Sequence, residues 1–458
     1  LLDCAAMLRA ESSRRPPRER APRADPSWIA MFGVALALRV TYAWLAIGPG
    51  ATPSSDPATY DAVAWNLARG VGFSLDSSAG PYPTAFVPPL LPWITSLLYR
   101  LIGHQHFAAV LLQCVVGALV PLLLAALGGS LFGGIVGRWS GWLAAVHPLL
   151  VFFSGYLLTE MLFCVTLLLA VLLSVDWVRT PRSGRALGTG LAWGIAALTR
   201  PTALPIPLIV ALWAWRPLGL TVGARGRLWH LGLLLLGLAT VVGPWTLRNA
   251  IALHAFVPIT TGAGGALMVA NNPATWDERA TRGGASSVSY QAALAGEFRG
   301  LGEVEVDRRA RERTWAFVRS RPGDWPGVAL AKLARFWRLG AEGGGTGAWQ
   351  RPGSPLAPLR RLDPLLVWSV FTLPLALWGL VRAVRGGRRW FQSLPLFVIG
   401  YFTAIAVVFF GSLRMRVPIE PLVLMFVALG IDEARRALRT RARGFSVVPG
   451  GRAGVSGE

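Results

Sequence analysis

The feature that most constrains this chain is a recurring run of about twenty apolar residues, broken by short links in which arginine is the main charge. A helix of that length spans the hydrocarbon core of a bilayer, and inside lipid the backbone must satisfy its own hydrogen bonds. Such runs lie at about 28–47, 107–127, 132–147, 149–177, 228–247, 365–381, 391–411 and 417–431. A shorter pair, 186–199 and 201–215, turns at Thr199-Arg200-Pro201. The expectation is an all-α polytopic membrane protein with about ten transmembrane helices and two outer-face segments. Only 15% of the residues are charged, against about 25% in ordinary soluble domains.

The formal charge of +22 rests almost wholly on arginine, Lys332 being the single lysine. In a soluble chain such a charge would suggest nucleic acid. Here the arginines fall between apolar runs, so topology accounts for them and no nucleic-acid partner is expected. Cys4, Cys114 and Cys164 are far apart and suggest neither a disulfide framework nor a zinc site. Of five scattered histidines, His104 and His106 could share a strand face, but no third ligand is evident. No metal and no cofactor are expected.

Charge and composition divide the chain. Residues 1–26 are Arg/Pro-rich without an apolar face and predict a disordered basic cytoplasmic tail, not a cleavable signal peptide; Met7 is a candidate start. Residues 27–247 form a transmembrane module with a first outer loop at 48–104, holding a second surface helix at 88–102. Residues 248–360 are a polar, Gly-rich outer-face segment with helical patches at 288–299, 304–320 and 325–339, the last amphipathic. Residues 361–434 return to the membrane, and 435–458 are a second basic cytoplasmic tail. With the first tail inside, the basic links 179–185, 216–227 and 382–389 and the C-terminal tail all fall inside. The loop 48–104 and the 248–360 segment then fall outside.

In the first outer loop, Asp56 stands where a helix should begin, with Pro57 at its first position and Gly70 as its stop. Either Asp56 only caps that helix, or the cap holds an ionised carboxylate at the membrane surface as a base. Glu160 lies inside the 149–177 run, a costly place for a carboxylate unless it faces a cavity or partner, or is a protonated packing group. Arg200, Arg248, Arg414 and Arg416 stand at outer ends of spans. Singly each could snorkel to headgroups; together, beside a carboxylate, they fit recognition of a phosphate.

These pieces resemble the GT-C membrane glycosyltransferases, in the branch of the protein O-mannosyltransferases and lipid A aminoarabinose transferases. The resemblance runs in order through Asp56-x-x-x-Tyr60, Thr84-Ala85-Phe86-Val87-Pro88-Pro89-Leu90-Leu91-Pro92, Leu158-Thr159-Glu160-Met161-Leu162-Phe163 and Leu198-Thr199-Arg200-Pro201. It continues through Pro244-Trp245-Thr246-Leu247-Arg248-Asn249, Phe256-Val257-Pro258-Ile259-Thr260-Thr261, Asn271-Asn272-Pro273 and Arg416-Val417-Pro418, so it covers about residues 28–430. It implies that Asp56 is the catalytic acid of the first loop and Glu160 a second acid near the donor. Arg200, Arg248 and Arg416 become phosphate contacts, with Tyr60, Asn249, Asn271, Asn272 and Arg414 among the substrate-binding residues. Pro57 follows Asp56 where protein O-mannosyltransferases carry an acidic pair, which points away from a protein acceptor. The first-loop lysine of the aminoarabinose transferases is missing.

The resemblance implies transfer of a monosaccharide, hexosyl or pentosyl, from a polyprenyl-phosphate donor. The acceptor would be a lipid or cell-envelope glycan ahead of a protein, at the outer face of the plasma (inner) membrane. The alternative is a proton-coupled lipid or solute transporter using Glu160. Against it stand the large outer segment, the acid outside the span and the lack of an internal repeat.

Overall fold

The structure is a computed structural model and describes residues 26–286, 291, 296–337, 364–385 and 390–445. The expected tails at 1–25 and 446–458, most of the 288–299 patch and residues 386–389 of the third basic link lie outside these residues.

Helix α1 (Pro26–Tyr42) continues into a π-turn at Ala43–Ile47. The first loop then forms α2 (Asp56–Ala68), a hairpin of β1 (Ser74–Ser77) and β2 (Gly80–Pro83), and α3 (Leu90–Ile102). Helix α3 buries Leu91, Thr95, Ser96 and Tyr99 and exposes Trp93, Leu97 and Leu101. A helix with one exposed apolar side thus stands at 90–102, where the sequence predicts a surface helix at 88–102.

The bundle follows with α4 (His106–Phe132), α5 (Gly134–Val146), α6 (Pro148–Ser154), α7 (Thr159–Arg179), α8 (Ser183–Thr199) and α9 (Ile206–Leu253). On the far side of the polar segment come α14 (Pro364–Arg385), α15 (Leu394–Val408), α16 (Leu413–Arg416) and α17 (Glu420–Phe445). The intervening segment contributes α10 (Ala263–Ala270), α11 (Pro273–Asp277), α12 (Glu303–Ser320) and α13 (Trp325–Phe336). Helix α7 and the 417–430 stretch entering α17 are buried almost throughout and form the centre. Gly190 of α8 and Gly237 of α9 let their helices meet backbone to backbone: a Cβ on Gly190 would stand 2.1 Å from Leu234 O.

Five of the described helices are long and apolar enough to cross a membrane, six if the bent pair α5–α6 is one span, so ten spans are not established. Two sequence boundaries need correction. The run 149–177 is not one helix: α6 ends at Ser154, Leu158 is extended, and α7 starts at Thr159, which puts Glu160 in its first turn. Hydropathy could not reveal this, because the break at Gly155–Leu158 is itself apolar; Gln113 of α4 satisfies it by donating to Leu158 O at 2.7 Å. The second is the basic link 216–227, which is helical on both sides of Gly223: there φ is 70° and ψ −176°, so residues 206–253 are two helices that meet at a kink, and the link shortens to that break. At the C-terminal end α17 carries the helix on through the basic stretch to Phe445.

Candidate active site

Ser55, not Asp56, is the N-cap of α2. It is held at φ 55°, ψ −135°, a conformation unfavourable for a residue with a side chain, and makes no side-chain cap bond. The strained turn places Asp56 at the first helical position with its carboxylate 53% exposed. This carboxylate accepts from Arg414 Nη1 at 2.5 Å. Glu160, whose side chain is 0% exposed, accepts from Arg414 Nε at 2.5 Å. One guanidinium fork therefore joins an acid of the first loop to an acid of the buried helix α7. Arg200 Nη1 stands 3.6 Å from the same Glu160 oxygen, while Glu160 Oε2 and Arg200 Nη1 are buried without a hydrogen-bond partner. Tyr60, one turn after Asp56 on α2, is buried beside them; burial and then the nearby Glu160 charge raise its hydroxyl above the ordinary tyrosine range. Burial alone would lower the Arg414 guanidinium, but Glu160 and Asp56 outweigh it and hold Arg414 above its ordinary value.

Arg414 is delivered by a short element fixed at both ends. On one side Arg416 turns away into the bundle, donating to Glu420 at 2.7 Å and Ser369 at 3.2 Å, with His147 3.0 Å from Glu420. Residues 414 and 416 lie about 200° apart around a helix, so one faces the acid pair while the other anchors. On the other side Gly411 donates to Gly283 O at 2.9 Å, and a Cβ there would lie 1.9 Å from Lys332 O. Lys332 itself is buried, with its ammonium 2.6 Å from Asn271 Oδ1.

The structure thus brings together Asp56, Tyr60, Glu160, Arg200 and Arg414. It does not bring the other expected residues to them. Arg416 is buried against Glu420 and has no open face for a phosphate. Arg248 donates to Thr84 O at 2.6 Å and Phe73 O at 2.7 Å, tying the first loop to the end of α9. Asn249 binds Val257 O and Ile259 O. Asn271 bridges Leu267 O, Val408 O and Lys332, and Asn272 caps α11 in a capping box with Thr275. These five residues shape the scaffold.

Sequence reasoning also missed a polar knot on the inner side of α2. His104 and His106 are not on a strand: His104 Nε2 lies 2.7 Å and His106 Nδ1 3.3 Å from the two oxygens of Asp61, which Tyr99 also donates to. Burial pushes the Asp61 carboxyl up, but bonds from His106, Tyr99 and His104 outweigh it and leave it below its usual range. Trp65 stacks on His104, with centroids 4.7 Å apart. The position of Asp61, five residues after Asp56 and thus on another face of the helix, was the available signal. Among the described residues no three His, Cys, Asp or Glu side chains are grouped to hold a metal ion. The space between Asp56 and Glu160 is filled by the Arg414 guanidinium.

A bundle of apolar helices, with an acid of the first loop facing an acid and arginines of the bundle, is the architecture of a multi-pass membrane protein. The comparisons agree with that class. A family model described as dolichyl-phosphate-mannose-protein mannosyltransferase matches residues 87–246. The fold is similar to that of the archaeal oligosaccharyltransferase AglB from Archaeoglobus fulgidus, solved in complex with an inhibitory peptide and a dolichol-phosphate. The TM-score is 0.57 at 14% identity, over 94% of this chain and 52% of the other. The same enzyme tethered to an acceptor peptide containing the NVT sequon gives 0.55 at 14% identity, over 94% and 52%. ArnT from Cupriavidus metallidurans bound to undecaprenyl phosphate gives 0.43 at 16% identity, over 91% and 79%. The chain spans about half the length of the oligosaccharyltransferases it matches. No curated protein matches it significantly in sequence. At 14% identity the likeness to the oligosaccharyltransferases is one of fold.

Proposed function

We propose that the chain transfers a monosaccharide from a polyprenyl-phosphate donor to a hydroxyl of a lipid or glycan acceptor, at the outer face of the plasma membrane. The observation that carries this reading is the Arg414 bridge between Asp56 and Glu160, with Arg200 beside it. Two guanidiniums held at a half-exposed acid form a site for a phosphate, and the acid is placed to take a proton. The family model that matches residues 87–246 is named for transfer from a dolichyl phosphate, and the oligosaccharyltransferase of similar fold was solved with a dolichol-phosphate; both support a lipid-phosphate donor.

In this mechanism the acceptor oxygen attacks the anomeric carbon opposite the phosphate, and its proton passes to the Asp56 carboxylate. The new C–O bond forms as the old one breaks, and the electron pair leaves on the lipid phosphate, inverting the anomeric configuration. Arg414 and Arg200 neutralise that phosphate, while Glu160 keeps both guanidiniums in place. An incoming phosphate competes with Asp56 for Arg414, which frees the carboxylate for the proton. The outer-face assignment rests on the arginine-rich links opposite the Asp56 loop.

The test is to incubate membranes containing the chain with several polyprenyl-phosphate sugars and measure which is consumed. Consumption of one sugar, absent in membranes with Asp56→Asn, is the expected result. Consumption of none, together with pH-gradient-driven uptake that needs Glu160, would favour the transporter.

A further inference from the structure

A groove of about 720 Å³ lies where the first loop meets the polar segment, apart from the Asp56–Glu160 pair. Its walls are Tyr82 and Phe86 of the loop, His254 and Thr261 beyond α9, and the first turns of α12. Four observations bear on what it holds. Phe86 and Tyr82 are 50% and 41% exposed, large aromatic faces turned to the open side of a polar loop. Thr261 is only 5% exposed, yet its hydroxyl has no partner, an uncommon state for a buried polar atom. His254 closes α9 in the left-handed region at φ 51°, where a side chain is disfavoured, and it too lines the groove. Finally, α12 brings Glu303, Glu305 and Asp307 to the wall; Glu305 is paired with Arg308 and Arg309 and Asp307 with Arg311, which leaves Glu303, bonded to Thr84 and Ala85, as the one of the three without an arginine partner among the described residues.

The carboxylates decide the ligand's charge. The end of a helix attracts anions by its dipole, but here that end already carries three acids, and Asp307 accepts from Gly264 N. Among the described residues no arginine or lysine lines the groove, and Glu303 stands on its wall, so a phosphate finds no countercharge there and the groove is not a second donor site. Two aromatic faces, an unpartnered hydroxyl and Glu303 on the wall fit an uncharged or amino-bearing sugar, whose apolar ring face covers an aromatic while its hydroxyls bond the polar rim. The groove is also tied to the catalytic loop. Glu303 accepts from Thr84 Oγ1 at 2.6 Å and Ala85 N at 2.7 Å, and Thr261 N donates to Ala85 O at 3.1 Å.

We infer that this groove binds the glycan part of the acceptor as a neutral or amino-sugar chain, held by Phe86, Tyr82 and Thr261. The inference rests on the glycosyl-transfer reading, and names the acceptor class for that site.

The experiment is saturation-transfer NMR on the full chain in nanodiscs, with maltopentaose, chitotetraose, glucose 6-phosphate and triarginine as probes. Undecaprenyl-phosphate binding is measured in parallel to report on the donor site. Transfer to a neutral or amino-sugar oligosaccharide is expected, weakened about tenfold or more in Phe86→Ala and in the near-isosteric Thr261→Val, with lipid-phosphate binding unchanged. A sugar signal that both variants leave intact overturns the assignment, as does no signal from any probe while lipid phosphate still binds. Triarginine binding in place of sugar overturns it in favour of a basic peptide. Loss of lipid-phosphate binding by the wild-type chain would instead count against the donor reading.

Discussion

Arg414 and Glu160 are 254 positions apart in the chain and 2.5 Å apart in space, and the same guanidinium also holds Asp56. A planar fork can serve two carboxylates at once, whereas a lysine offers one point charge on a flexible stem. The bridge therefore fixes the geometry of the acid pair as well as its charge. Arg414→Lys is expected to lower turnover at least about tenfold, and Arg414→Gln about 100-fold, with a raised apparent KM for the lipid donor. The check is turnover against donor concentration at equal membrane abundance. Full activity in both variants would remove Arg414 from the site.

Arg248 is expected to behave differently. Its bonds to Thr84 O and Phe73 O tie the first loop to α9, so Arg248→Gln should destabilise the loop and leave donor KM within about twofold. Thermal unfolding and limited proteolysis of the loop, set beside donor kinetics, separate the two effects. A large rise in donor KM without loss of stability would return Arg248 to the phosphate.

Lys332 gives a pH signature. Burial pushes its ammonium down to about 7, with Asn271 as its near partner and, among the described residues, no carboxylate bonded to it. Between about pH 7 and the ordinary lysine value near 10.5, the unfolded chain carries a proton that the folded chain lacks. Stability therefore rises with pH across that window and is flat below it. In Lys332→Met this slope should vanish, so the Tm difference between the two proteins should change steadily from pH 7 to pH 10. A constant difference would show that Lys332 stays protonated when folded.

Orientation is testable by labelling. In a Cys4→Ser background, Ser183→Cys should resist a membrane-impermeant thiol reagent in intact cells, and Ala280→Cys, on an exposed turn, should react. Cys114 and Cys164 are buried and stay silent. The reverse pattern would place the acid pair on the inner face.

Much of this was legible in the sequence, and the limits have physical causes. Apolar length located α1, α4 and α15, because burial in lipid imposes it. Asp56, Glu160 and the arginines stood out as charges in apolar surroundings. The cap did not resolve, because Ser55 and Asp56 are both good caps and only backbone geometry chooses between them. The pairing of Arg416 with Glu420 was readable from its i, i+4 spacing and should have withdrawn Arg416 from the phosphate. The partners of Arg248 lie 164 and 175 positions away, and no local pattern carries such contacts.

The central claim is that Asp56 accepts the proton, and Asp56→Asn tests it most directly. The side chain is half exposed and Ser55, not Asp56, is the N-cap, so the amide should leave the fold nearly unchanged. The measurement is turnover of Asp56→Asn and Asp56→Ala at equal membrane abundance, with lipid-phosphate binding measured separately. The account predicts that both lose turnover by about 100-fold or more, while Asp56→Asn keeps or tightens phosphate binding because Arg414 is released from a competing charge. Near-normal turnover in Asp56→Asn would contradict it.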